Sequence, residues 1–137
     1  MSRANLRLLQ GAIDAFNARE LEAYFGCFHP DLVYRSRADE PDAGVRIGLD
    51  ELKRYTSAWL ETFDDLRFDV HDWIDLGDQV IGVAELQGRG SATGAPVHGT
   101  YVFLWTVRGG RIVEGGEYGS TDEALEAAYS TRSEAER

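Results

Sequence analysis

The sequence predicts an α+β fold in which a curled antiparallel sheet carries helices against its concave face. Three observations lead there. Apolar residues recur at helical spacing through roughly the first 60 residues, and from Leu66 the period drops to two. The stretch from Val97 to Ala128 then reads as a long β-branched and aromatic strand, a Gly-Gly turn, a second strand and a capped helix. Everything upstream is expected to cover one face of that hairpin.

Leu6, Leu9, Ile13 and Phe16 form the apolar side of a first helix, with Arg3, Arg7, Gln10, Asp14 and Asn17 between them. Leu21, Tyr24, Phe25 and Phe28 mark a short second helix over 20–28, ended by Pro30-Asp31 because proline has no N–H to donate. Leu32 to Arg37 is a short strand with Leu32, Tyr34 and Ser36 on one face. Residues 38–46 are polar and read either as a flap or as a plain connection. After Gly48, Leu52, Tyr55, Trp59 and Phe63 form the stripe of a third helix. Leu66, Phe68 and Val70 alternate with polar residues, and the phase blurs at Asp72-Trp73-Ile74, the signature of a bulge. Gly77-Asp78 turns the chain into a strand over 79–88, and Gly88, Gly90, Gly94 and Pro96 mark the next loop. After the hairpin, Ser120-Thr121-Asp122-Glu123 is a capping box opening a last helix. Residues 1–130 are expected to form one domain and 131–137 a frayed tail.

Composition narrows the partners. The 137 residues hold 14 Lys and Arg against 24 Asp and Glu, a net charge of -10. Such a surface repels phosphate backbones and anionic lipid, which argues against nucleic acid and membrane partners. The lone Cys27 leaves no intrachain disulfide, and its neighbours Phe25 and Phe28 read it as a small buried hydrophobe. No apolar run near the start has the length of a signal peptide or membrane span, so a cytoplasmic location is expected. His29, His71 and His98 make no metal-ligand spacing with one another, and neither a metal nor a cofactor is expected.

Markers spread along the chain carry a resemblance. They are Phe16-Asn17, Phe28-His29-Pro30-Asp31-Leu32-Val33-Tyr34, Gly44 with Gly48, Leu76-Gly77-Asp78-Gln79-Val80, Gly110-Arg111-Ile112, and Tyr118 followed by Glu123-Ala124-Leu125. In this order and at these spacings the chain resembles the nuclear transport factor 2-like superfamily, and within it the SnoaL-like domains. The resemblance implies a cone-shaped, curved antiparallel sheet wrapped around the N-terminal helices (a cystatin-like roll), with a pocket at its wide end. It also implies a homodimer. Its members include polyketide cyclases, epoxide hydrolases, ketosteroid isomerases, dehydratases and proteins without chemistry, so fold alone does not decide function.

Glu117 is the principal candidate. Val113, Gly115, Glu117 and Gly119 share one strand face, so Glu117 either projects into the cavity between two glycines that leave room for a ligand, or faces solvent or a dimer partner. The resemblance places it inward, where the epoxide hydrolases and SnoaL-like cyclases carry an acid/base Asp. A carboxyl walled by aromatics has its pKa raised by desolvation toward an acid/base range. Tyr34 and Ser36 stand about 7 Å apart on one strand face, where the resemblance places a Tyr and an Asn that hold the attacking water of the epoxide hydrolases. The Arg and Asp of those enzymes are replaced by Leu86 and Gly88, which argues against epoxide opening. The isomerase base falls at Ser36 and its oxyanion donors near Ala12 and Tyr101, which argues against that activity too, though Tyr101 retains a donor for a ligand oxygen. Tyr101, Trp59, Tyr55, Phe103, Trp105 and Phe16 are the expected ligand-binding wall, with His98 near its mouth.

Two functions follow. In one, a small apolar or aromatic carbonyl ligand is cyclised, isomerised, dehydrated or hydrolysed, with Glu117 moving a proton and Tyr34, Ser36 and Tyr101 positioning it. In the other, the chain is a non-catalytic binding or dimerisation module, because no second acid or base is assured beside Glu117.

Overall fold

The computed structural model describes residues 3–135. Helices α1 (Arg3–Asn17) and α2 (Leu21–Gly26) precede strand β1 (Phe28–Arg35); a short strand β2 (Val45–Ile47) and helix α3 (Leu49–Thr62) follow. Strands β3 (Phe63–Asp75), β4 (Gln79–Gly90), β5 (Pro96–Arg108) and β6 (Arg111–Tyr118) then run in succession to helix α4 (Thr121–Ala135). The six strands form one curved, unclosed sheet in the order β2-β1-β6-β5-β4-β3. The β3–β4–β5–β6 succession is antiparallel as expected, but β1 joins β6 in parallel. That pairing is what brings the first strand beside the last.

Several boundaries differ from the sequence reading, each for a local reason. Helix α2 stops at Gly26, and Phe28 already belongs to β1, which carries Pro30 through an irregular stretch where the ladder to β6 is broken between Phe28 and Val33. There a missing N–H costs no ladder bond. Strand β2 lies inside the segment read as loop: three residues are too short to show a period of two. The β3 bulge falls at His71, just before the expected place, and a second one near Asp65 and Leu66 extends the strand back to Phe63. Residues 131–135 continue the backbone of α4 where a tail was expected, and 136–137 lie outside the described residues.

The sheet separates two cores. On its concave side α1 buries Leu9, Ala12 and Phe16 and α3 buries Leu52 and Tyr55 against Phe28, Leu32, Leu66, Tyr101, Phe103 and Trp105. On the other side α4 presses Ala124 and Ala128 onto Ile81, Val102 and Leu104. Helix α1 is fastened at its end: the Asn17 amide donates to the Phe68 carbonyl at 2.8 Å and accepts from the Phe68 N–H at 3.0 Å. The chain then turns through Arg19 at φ 61°, and the guanidinium donates to the carbonyls of Phe16 and Leu66. Helix α3 starts from Gly48 at φ 89°, a conformation that favours glycine. The β5–β6 turn places Gly109 and Gly110 at φ 58° and 74°, the two left-handed residues of a type I′ hairpin. Ser120 accepts from the Glu123 N–H at 3.2 Å, while Glu123 reaches back to the Gly119 N–H at 3.4 Å, close to the expected capping box.

Candidate functional site

Helices α1, α2 and α3 and the concave sheet face enclose a cavity of about 50 Å³. Its wall is almost wholly apolar. Phe16, Tyr24, Trp59, Phe68, Phe103 and Trp105 supply rings, and Leu9, Ala12, Ile13, Leu52, Leu66 and Ile112 supply aliphatic surface. Such a hollow admits a few water-sized groups; it is well below the roughly 300 Å³ at which small-molecule sites usually begin. A ligand larger than a few heavy atoms therefore has to move side chains on entering.

The charge in this wall is Glu117, on β6 opposite Phe103 and only 7 % exposed. Both its oxygens are held. The Tyr34 hydroxyl donates to Oε2 at 2.5 Å and the Tyr55 hydroxyl to Oε1 at 2.9 Å. Burial pushes the carboxyl from 4.5 up to about 7, against the opposing pull of the two phenols, and the negative charge of Asp42 adds to the rise. Near neutral pH the group therefore exists in both protonation states, the condition under which one side chain can take and return a proton. The two phenols stay protonated, because burial and the charge of Glu117 raise them both.

Glycines shape this arrangement differently from expectation. A Cβ on Gly115 would come within 2.8 Å of the Tyr34 ring, and one on Gly119 within 3.2 Å of the Arg37 guanidinium. The space beside Glu117 thus belongs to protein groups, and the expectation that these glycines leave room for a ligand is corrected. At Gly82 a Cβ would lie 2.7 Å from Trp105, so this glycine makes room for the indole's close approach to β4. The β5–β6 ladder skips Val113, which switches the phase of β6 and brings Ile112 to the cavity face together with Glu117.

Of the residues proposed from sequence, Glu117, Tyr34, Tyr55, Trp59, Phe103, Trp105 and Phe16 all line this cavity. Three do not. Ser36 lies just past the end of β1, and its hydroxyl donates to the carbonyls of Asp42 and Gly44, so it braces the following loop instead of facing a ligand. Tyr101 sits one layer out, stacked on Phe103 and edge-on to Trp59, with its hydroxyl given to Glu40 at 2.6 Å. His98 is exposed, because its strand parity points it away from the Tyr101, Phe103 and Trp105 face. The sequence reading missed Tyr24, Thr56 and Phe68 as lining residues. Tyr24 and Phe68 each stood on an apolar stripe, which served the core reading equally well.

The polar segment 38–46, together with Arg37 just before it, is tied to the site's outer layer. Arg37 lies over the Tyr101 ring at 5.0 Å and donates to the Thr100 carbonyl, Glu40 accepts from Tyr101, and Arg46 lies over the Tyr55 ring at 4.8 Å. This favours a strap across the rings of the site over a plain connection. Among the described residues, no three His, Cys, Asp or Glu side chains gather in a metal-holding arrangement.

The sequence profile of the SnoaL-like domain matches residues 9–115, most of the chain. This chain belongs to the SnoaL-like domain family. The match runs from Leu9, within α1, to Gly115 and so covers every cavity-lining residue except Glu117 itself. Solved structures agree with the assignment. TerC, co-crystallised with polyporic acid, superposes with a TM-score of 0.76 at 19% identity, over 90% of this chain and 96% of its own. A nuclear transport factor 2-like protein of Burkholderia thailandensis gives 0.75 at 25% identity, over 87% and 95%. IdmH of Streptomyces antibioticus, a proposed polyketide cyclase, gives 0.72 at 25% identity, over 85% and 91%. None of the curated proteins matches the SnoaL-like chain by sequence.

Proposed function

We propose that this SnoaL-like protein catalyses a cofactor-independent proton transfer on a small, apolar, carbonyl-type compound, with Glu117 as the acid/base. Cyclisation, isomerisation, dehydration and hydrolysis all lie within reach of that step. The observation that carries the reading is a carboxyl buried in an aromatic hollow, poised near neutrality and gripped by two phenols. Tyr34 and Tyr55 position Glu117 and stabilise its ionised form as it gives up a proton. The apolar wall keeps water from competing for that proton. The names of two structural relatives point the same way: one was crystallised with polyporic acid and another is a proposed polyketide cyclase. The reading takes the protein as a cytoplasmic homodimer. Among the described residues, exposed Val45 and Ile47 on β2 and Tyr129 on α4 are large apolar side chains available for such contact, and sedimentation velocity tests it; no helix among the described residues is long and apolar enough to cross a membrane.

The test is deuterium uptake at the α-carbon of a graded set of ketones, namely acetone, cyclopentanone and 2-tetralone. The protein should accelerate exchange for at least one of them, and Glu117→Gln should remove the acceleration. Equal rates for both proteins would leave the second reading, a binding module without chemistry. That reading is favoured by the two occupied oxygens of Glu117 and the small volume of the hollow.

A further inference from the structure

Four phenols surround the site, and three are already engaged: Tyr34 and Tyr55 donate to Glu117, and Tyr101 donates to Glu40. Tyr24 is the exception. It is the cavity-facing residue of α2, and its ring is wedged by Phe16 at 5.4 Å, Phe25 at 5.2 Å and Phe28 at 5.1 Å between centroids. These contacts fix where the ring lies, yet the hydroxyl makes no hydrogen bond among the described residues. With the ring held in place and no protein acceptor taken, this hydroxyl is free to donate to a molecule in the cavity that Tyr24 lines. The Thr56 hydroxyl also lines the cavity without a protein partner, but a threonine on a helix can turn to the carbonyl one turn back. A phenol pinned by three rings has no such outlet.

We propose that Tyr24 donates the hydrogen bond that holds the ligand's oxygen, so that the compound taken by this cavity presents a carbonyl or enol oxygen to α2 and its α-carbon to Glu117. The inference deepens the proton-transfer reading and rests on it for the role of Glu117. In the step, the Glu117 carboxylate takes a proton from the α-carbon. The C–H electron pair becomes the new C=C bond, the carbonyl π pair moves onto oxygen, and that oxygen is held as an enolate by the Tyr24 O–H. Return of the proton from Glu117 to carbon or oxygen closes the step with no other reactant. Tyr24 is suited to donate without ionising, because burial and the nearby charge of Glu117 both raise its pKa.

The probe is cyclopentanone labelled with 13C at the carbonyl. Bound to the wild-type protein, its carbonyl signal should lie downfield of its position in an apolar solvent. In Tyr24→Phe it should move upfield, and the affinity should fall about tenfold, the worth of one hydrogen bond. In Glu117→Gln the signal should stay while α-proton exchange is lost. An unchanged carbonyl signal in Tyr24→Phe, loss of the signal displacement in Thr56→Val instead, or no saturable binding of cyclopentanone would overturn the proposal. A displaced signal in Tyr24→Phe together with full exchange in Glu117→Gln would keep the Tyr24 contact and remove the proton-transfer reading. The wild-type protein supplies a check that needs no variant to fold. With 13C at the tyrosine Cζ, saturation with cyclopentanone should shift the Tyr24 resonance, and a stationary resonance would count against the contact.

Discussion

Replacing Glu117 by Gln should stabilise the fold, and by an amount that depends on pH. The carboxyl is buried and its pKa rises from 4.5 to about 7 on folding. The folded chain therefore keeps a proton that the unfolded chain gives up, and its stability declines as pH rises through that window. At about 1.36 kcal/mol per pH unit, the full penalty is about 3 kcal/mol, reached above pH 7 and absent below 4.5. Glutamine has no proton to lose, so it avoids the penalty. Its carbonyl can accept from one phenol and its amide cannot accept from the other, which returns about 1 kcal/mol. The net expectation is a variant about 2 kcal/mol more stable than wild type at pH 9 and about 1 kcal/mol less stable at pH 4. Urea unfolding of both proteins from pH 4 to pH 9 measures the difference, in which every other titrating group cancels. A difference that does not change across this range, or a variant less stable at pH 9, would refute the reasoning that burial dominates the Glu117 environment.

Other substitutions probe the supports of the site. Tyr34→Phe removes the 2.5 Å donor to Glu117; it should cost about 1–3 kcal/mol above pH 7, where the carboxylate is charged, and much less near pH 4, as thermal melts at the two pH values would show. Gly115→Ala places a methyl 2.8 Å from the Tyr34 ring; it should cost about 1–3 kcal/mol and weaken the Tyr34 to Glu117 contact, read as a change in the tyrosine near-ultraviolet spectrum. Asn17→Ala deletes both amide bonds to Phe68; it should destabilise the protein by about 1–3 kcal/mol and speed hydrogen exchange at the Phe68 N–H.

Much of this architecture was legible because its signals are periodic. The stripe of α1, the aromatic alternation of β5 and the double-glycine turn before β6 each follow from spacing and backbone preference alone. Spacing alone left Glu117 facing either the cavity or the outside, and only the resemblance pointed it inward; its pairing with Phe103 is what aims it at the cavity. What escaped depends on irregularity. The skip at Val113 turned Ile112 inward, which no parity argument from the hairpin contains. Strand β2 is visible only through its partner β1. Ser36 shared parity with Tyr34, but the chain leaves the sheet after Arg35, so parity stopped meaning anything there. Tyr24 shares an apolar stripe with Phe25 and Phe28 and is half-buried against the core; what sets it apart, a hydroxyl with no hydrogen bond among the described residues, is a property of three dimensions.

A 13C-detected titration of the Glu117 side-chain carboxyl, in the protein without added ligand, tests the account most directly. Desolvation in the aromatic hollow predicts a midpoint near 7. A midpoint near the ordinary 4.5 would mean that water or the two phenols outweigh burial, and the group would then be an ionised structural anchor with no proton to offer at neutral pH.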